Sequence, residues 1–346
     1  MLRIHFASED LNRLRLAAGP DPLWETVLSL HLLQNRDASL VFDPWRREVR
    51  ARIARAGLTR SVESLIRLAP CASYFPDFLT PGQGIQDLET GLDQLMSTSR
   101  SRLTAELSMI FPKGPLPPGA RRIAEGDPVA LARLAEALRR YYAIAVEPYL
   151  DAVRERFAAD RAKRAAAVLS GGPEALLSSY APLLDWQGGA LGLGQLEAAY
   201  PVARDMRLKD RPLTLIPSFF CVHTPIALVD ESLDPVLVHP LDPPPGWLAR
   251  TTRRQEEELA SAPVGQLIGN TRAHLLELLD RPLTTSQLAG SLRMAASTAS
   301  RHTTVLREAG LIASRRRGNS VQHTLTPLGK ALLAGRIPAN EWPRSG

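Results

Sequence analysis

Residues 298–325 read TASRHTTVLREAGLIASRRRGNSVQHTL, and the side chains they supply are those that grip a nucleic acid. On a helix over 296–307, Ala296, Ser297, Thr298, Ser300, Arg301 and Thr304 share one face. Short hydroxyls let the backbone come close to a duplex while still offering donors, and a guanidinium can make paired hydrogen bonds to a guanine edge. Arg301 is the only long donor on that face, so it is the residue expected to read a base. Ala299, His302, Thr303 and Leu306 recur at i, i+3, i+4 and i+7 and are expected to face a core. His302 is expected to pack or to touch a phosphate rather than to hold a metal. Further on, Arg315, Arg316 and Arg317 run into Gly318-Asn319, a pair suited to a tight hairpin turn. Three guanidiniums and Asn319 at a hairpin tip would lie along phosphates or enter an adjacent minor groove.

The other reactive side chains form no comparable set. The seven histidines are scattered. His223 and His239 lie near Asp230, Glu231 and Asp234, but without HxH or HExxH spacing no metal site is expected. Cys71 and Cys221 share no CxxC spacing, which indicates neither a disulfide framework nor a zinc site. Cys221, in SFFCVH, reads as buried filler in a strand. The glycines of WQGGALGLG (186–194) have no following Lys and read as a turn-rich loop, not a phosphate loop. Trp24, Trp45, Trp186, Tyr141 and Tyr142 are expected in cores, with a ligand pocket as the alternative. No Ser-His-Asp or paired-carboxylate arrangement can be assembled, so neither an enzyme nor a cofactor is expected.

The elements that would hold the Arg-rich segment can be read around it. Asn270-Thr271-Arg272 lies within a helical pattern over 265–280, with Leu267, Leu275, Leu276, Leu278 and Leu279 on its buried face and Arg281-Pro282 as its stop. LTTSQLAGSL (283–292) predicts a second helix, with Thr285 as N-cap and Leu288, Ala289 and Leu292 inward. Arg293-Met294-Ala295 then leads into the helix over 296–307, and so tight a connection predicts a helix-turn-helix. Gly310 ends that helix. LIASRRR and SVQHTL predict a two-stranded hairpin, with Val321, His323 and Leu325 alternating with Gln322 and Thr324. Thr326 and Pro327 start a closing helix. Together these make a helix, a reading helix and a basic wing.

Charge points the same way. Residues 265–330 carry nine Lys or Arg against three Asp or Glu, a surplus equal to the +6 of the whole chain. Positive charge confined to one small module is the footprint of a polyanion partner, the alternative being a solvated basic face. Ahead of it, LRIHF predicts a strand, and DPLWETVLSLHLLQNR (21–36) a helix with Asp21 as N-cap and Pro22 in its first turn. Helical patterns continue through 44–68 and 86–109, FPKGPLPPG (111–119) is a loop, and Pro148 is expected to kink or divide the pattern over 127–168. LTLIPSFFCVHTPIALVDESLDPVLV (213–238) reads as two or three strands, HPLDPPPG (239–246) punctuates, and TRRQEEELA (252–260) reads as a helix. The expected fold is mainly α with some β, an α+β arrangement. Its expected parts are an N-terminal, mostly helical region over 1–250, a linker helix over 251–264 and a winged helix-turn-helix over 265–334. No apolar run approaches the roughly 18 residues of a membrane helix, so no membrane partner is expected. MLRIHFASED, charged at Arg3, Glu9 and Asp10, does not read as a secretory leader, and the expected compartment is the cytoplasm.

Residues 267–333 resemble the DNA-binding domain of ArsR-type bacterial repressors. The resemblance rests on Asn270-Thr271-Arg272, Leu283-Thr284, Gln287-Leu288-Ala289, Ser297-Thr298, Ser300-Arg301-His302, Val305 through Ile312, Arg317 through Ser320, and Leu325 through Gly329. The chain departs from that pattern with Arg293 at the usual turn Gly, Ala295 at the usual capping Ser, Thr303 at an inward Leu and His323 at an aromatic wing position. The start of the chain resembles a class of long actinobacterial regulators that carry this module at the C-terminus. The thiolate box of the arsenic and cadmium sensors would fall near 288–294, where this chain has no Cys, which excludes metal sensing through that site. The resemblance implies a homodimer on an inverted-repeat operator in double-stranded DNA, and repression relieved by a signal; the N-terminal region over 1–250 is expected to serve effector binding, with a small molecule as the effector, or dimer formation. The alternatives are an enzyme or ligand carrier whose winged helix contacts protein or RNA, and a structural partner-binding module.

Overall fold

The computed structural model describes residues 1–333, leaving out 8, 83, 190–192, 229, 231–232, 253–262, 293 and 318–319. The described chain divides into two compact units, one running to Thr251 and one beginning at Thr252.

In the first unit, Asp21 and Pro22 open a helix as expected. Asp21 Oδ1 accepts from the backbone N–H groups of Leu23 (3.0 Å) and Trp24 (3.2 Å), and Pro22 is the first residue of α1 (Pro22–Gln34). Every residue of α1 from Pro22 to Leu33 is buried, so this helix is the axis of the unit rather than an amphipathic cover. Around it run α2 (Ser39–Arg55), α3 (Thr59–Leu68), α4 (Leu88–Met96), α5 (Arg100–Ile110), α6 (Pro118–Ala124) and α7 (Pro128–Ala145). Pro148 sits in a single 3-10 turn, Glu147–Tyr149, which separates α7 from α8 (Leu150–Ser178). Large apolar side chains fill the space between the helices. Trp45 Nε1 donates to the Ala145 carbonyl at 3.0 Å, and the Tyr141 and Ser29 hydroxyls lie 3.0 Å apart, so the polar ends of these two rings are satisfied.

Two small sheets complete this unit. One orders as β3 (Leu184–Gly188), β4 (Gly194–Ala198), β1 (Leu2–Phe6) and β5 (Arg204–Arg207), so the first strand of the chain is an interior strand of a sheet otherwise built from residues 184–207. WQGGALGLG is therefore not simply a loop, because its two ends are paired strands of a hairpin. The Trp186 ring meets Phe6 edge-on at 5.3 Å, which gives the hairpin an apolar contact to hold it on β1. The other sheet orders as β2 (Arg15–Leu16), β6 (Thr214–Ser218), β8 (Val236–Pro240) and β7 (Ile226–Ala227), the latter three strands answering to the 213–238 pattern. A buried carboxylate joins this sheet to α1. Glu25 accepts from Ser218 Oγ (2.9 Å), Phe219 N (2.9 Å) and Phe220 N (3.1 Å), and burial raises its pKa to about 7. His239 is fully buried against Tyr180, and among the described residues no group of three His, Cys, Asp or Glu could hold a metal.

The second unit is built on α9 (Pro263–Ile268), α10 (Asn270–Glu277), α11 (Thr285–Ser291), α12 (Ala296–Glu308) and α13 (Pro327–Leu333), with β9 (Leu283–Thr284), β10 (Ile312–Arg317) and β11 (Ser320–Leu325). The single helix expected over 265–280 is broken at Gly269, whose φ of 85° lies in the left-handed region. Leu267, expected on a buried face, is 72% exposed as a result, whereas Leu275, Leu276 and Leu279 enter the core. The helix expected over 252–260 lies, apart from Thr252, outside the described residues. The fold as a whole is α+β, mainly helical, as the sequence implies.

Candidate nucleic-acid interface

α11 positions the reading helix, and it starts one residue earlier than the sequence suggests. Thr284, not Thr285, is the N-cap: Gln287 N donates to Thr284 Oγ1 at 3.3 Å, and Thr284 N donates back to Gln287 Oε1 at 2.9 Å. This reciprocal capping box satisfies two helix-end donors at once. Thr285 is not free to cap because its hydroxyl lies 2.9 Å from His323 Nε2. Leu288 and Ala289 are buried and Leu292 is half-buried, which sets the inward face of α11.

α12 follows after four residues, 292–295, and begins at Ala296 without a side-chain cap, because Ala295 has no hydroxyl to offer. Its inward face is Ala299, Thr303 and Leu306. Thr303 fits where a Leu would pack because its Oγ1 donates to the Ser300 carbonyl at 3.0 Å, which leaves the γ-methyl for the core. His302, expected to face inward, is only half-buried and flanks that stripe instead. The opposite face carries Ser297, Ser300 and Arg301, all exposed, with Thr298 and Thr304 half-buried at its edges. Among the described residues Arg301 forms no ion pair, so its guanidinium is available to a ligand.

Gly310, at φ 70°, ends α12 and turns the chain into β10. β10 and β11 pair antiparallel from Ile312↔Leu325 to Arg317↔Ser320, and β9 joins through His323↔Leu283. The expected turn at Gly318-Asn319 lies outside the described residues. Arg315 and Arg316 are exposed on β10, and Arg317 is its last residue. Thr326 caps α13, with Gly329 N donating to its Oγ1 at 3.1 Å. α13 crosses so close that a Cβ at Gly329 would stand 2.1 Å from the Leu311 carbonyl oxygen, which only glycine allows.

The residue that sequence reading undervalued is His323. It is 4% exposed, with Nδ1 2.8 Å from Ser314 Oγ and Nε2 2.9 Å from Thr285 Oγ1. It therefore ties both wing strands to the start of α11 through hydroxyls that can each donate or accept. Burial, with a smaller contribution from Arg307, holds its pKa below the usual 6.5. The signal available in the sequence was the pair of hydroxyls at 285 and 314, which only the three-dimensional pairing brings to one ring.

Two helices joined by a short turn, the second with an exposed hydroxyl-and-Arg face, followed by a hairpin with exposed arginines, define a winged helix-turn-helix. Residues 271–314 match the family of bacterial regulatory proteins of the ArsR type, a span running from α10 into the first wing strand. A solved structure described as a possible transcriptional regulator for arsenical resistance is 32% identical over a match covering 22% of this chain and 75% of that one, with a TM-score of 0.18. No curated protein matches the chain. Residues 271–314 therefore carry an ArsR-type helix-turn-helix, which supports a DNA-binding transcriptional regulator. No helix among the described residues is long and apolar enough to cross a membrane.

Proposed function

We propose that the protein is a repressor that binds an inverted-repeat operator in double-stranded DNA as a homodimer. In this reading α12 enters the major groove, with Arg301 on a guanine edge and Ser297, Thr298, Ser300 and Thr304 on neighbouring base edges or phosphates. His302, at the flank of the helix, touches backbone. Arg315, Arg316, Arg317 and Asn319 carry the wing along phosphates or into the adjacent minor groove. The region over 1–250 forms the dimer and receives a small-molecule effector, joined to the winged helix over 265–334 through 251–264.

The observation that carries this reading is that the ArsR match over 271–314 falls within the part of the chain that holds the formal charge surplus and presents Arg301 on an exposed helix face. A two-fold dimer requires half-sites about ten base pairs apart, or a multiple of that. The test is to sequence genomic DNA fragments that co-purify with the protein. A shared inverted repeat with that spacing supports the reading, and fragments without a common motif overturn it.

A further inference from the structure

Three helices of the first unit, α3, α6 and α7, enclose a groove of about 490 Å³ on its surface. On α3, Ser61, Ser64, Leu65 and Leu68 recur at i, i+3, i+4 and i+7, so one face of that helix forms a wall. On α7, Ala130, Arg133, Leu134 and Ala137 repeat the spacing and form a second. Pro117 through Ala120, where the loop FPKGPLPPG runs into α6, close the third side. Both α3 and α6 pack on α7. The gap between them stays open because the side chains at Gly119, Ala120, Ala130 and Ala137 are too small to fill it. A Cβ at Gly119 would meet no atom within 4 Å. Leu65, Leu68, Ile123 and Leu134 are buried and close the floor, and most of the accessible wall is apolar.

The charge on this groove has one sign. Arg67, Arg122 and Arg133 line it, and among the described residues no Asp or Glu does. Asp127 already holds Arg122, accepting from its Nε at 2.6 Å. Arg67 and Arg133 are exposed, one on α3 and one on α7, and neither forms an ion pair among the described residues. A hollow of about 500 Å³ adjoins the groove along α7, sharing Ser61, Arg133 and Ala137 and adding Val129 and Arg140. Its one acid, Glu136, accepts from Arg139 Nη1 at 2.6 Å.

An apolar hollow facing water gains free energy when something covers it. Unpaired cations on its lip favour an anion and disfavour a cation. The volume lies within the roughly 300–1,000 Å³ of small-molecule sites. The accessible wall is far smaller than the about 800 Å² per partner that a stable protein interface buries. No aromatic ring lines the groove, so its apolar surface is aliphatic and offers no stacking partner to a ring.

We propose that this groove binds a free carboxylate with a linear aliphatic chain, the chain along the floor and the carboxylate at Arg67 and Arg133, and that such an anion is the effector that releases DNA. Only the last clause rests on the regulatory reading.

Calorimetric titration of the full chain, without DNA, tests the site with octanoate, 1-octanol, octyltrimethylammonium and acetate. Octanoate should bind most tightly. 1-Octanol keeps the chain without the charge and should bind about tenfold more weakly, the value of one charge-assisted hydrogen bond. Acetate and the cation should not bind. Each methylene removed from octanoate should weaken binding by up to about fourfold. Arg67→Gln together with Arg133→Gln should bring octanoate down to the level of 1-octanol, and both side chains are exposed, so the core is untouched. Gly119→Trp, which grows into the open groove, should abolish binding of both probes. No binding of octanoate, equal binding of 1-octanol or the cation, or octanoate binding that survives Gly119→Trp overturns the site. Flotation with phosphatidylglycerol vesicles that the double Gln variant abolishes, in a chain that does not bind octanoate, assigns the face to a membrane and also overturns it. Operator affinity, measured by anisotropy against acetate at the same concentration, isolates the last clause: weaker affinity in octanoate supports it, and unchanged affinity overturns it. A chain that binds the operator but not octanoate loses only the site, whereas one that binds octanoate but no duplex loses the regulatory reading.

Discussion

Arg301 is an exposed long donor on α12, set between Ser297, Ser300 and Thr304, and its surroundings decide what it can do. Ser297, Ser300 and Thr304 beside it are short enough to let the helix sit deep in a groove. A bidentate contact from Arg301 to guanine predicts that Arg301→Ala costs roughly 1–3 kcal/mol on the operator and relaxes preference at one base pair per half-site. Titrations against operator and random duplex check this, and an even weakening on both would assign Arg301 to phosphate instead. His323 makes a prediction about stability rather than reading. Its folded-state pKa lies below 6.5, so on acidification the unfolded chain takes up this proton first. Its contribution is therefore intact above about pH 6.5 and declines progressively as pH falls below that value. Denaturant melts of the winged helix against pH should show this decline, and His323→Phe should flatten it.

At the scale of elements, the wing is expected to supply affinity and α12 to supply choice. Replacing Arg315, Arg316 and Arg317 with Ala should weaken binding to every duplex by a similar factor. The log–log salt dependence should become shallower by about 0.9 for each phosphate that the wing no longer neutralises. An unchanged slope would remove the wing from the interface. Most of these elements were legible because their signals are local: Asp21-Pro22 at the start of α1, Thr326-Pro327 at the start of α13, and arginines flanking Gly318-Asn319 are all contained within a few residues. Where the signal is shared with a distant partner, it was not legible. Thr284 and Thr285 are equivalent caps on paper, and His323, thirty-eight residues beyond Thr285, decides between them. The β3–β4 hairpin was hidden because its inner strand, β4, is held by pairing with β1, far earlier in the sequence. The break at Gly269 lay within an otherwise continuous helical pattern, and a lone glycine in such a pattern does not by itself decide between a weak spot and a break.

For the whole molecule, the division at Thr251 and Thr252 predicts that reading and sensing can be separated physically. The winged helix has its own core in Leu275, Leu276, Leu279, Leu288, Leu306 and Ile312, and its α11 and α13 starts are capped within the module. The first unit has cores of its own, around α1 and between the two sheets. Limited proteolysis should therefore cut between 246 and 262 and leave two folded pieces, and residues 262–334 expressed alone should fold. If the N-terminal region forms the dimer, the isolated winged helix should be monomeric and lose cooperative binding to the two half-sites while keeping weak, salt-sensitive affinity for single ones. Sedimentation of the two pieces and titration of the fragment against one and two half-sites check both parts. A fragment that is dimeric and binds the full operator as tightly as the intact chain would place the two-fold interface in the winged helix and leave the first unit to sensing alone.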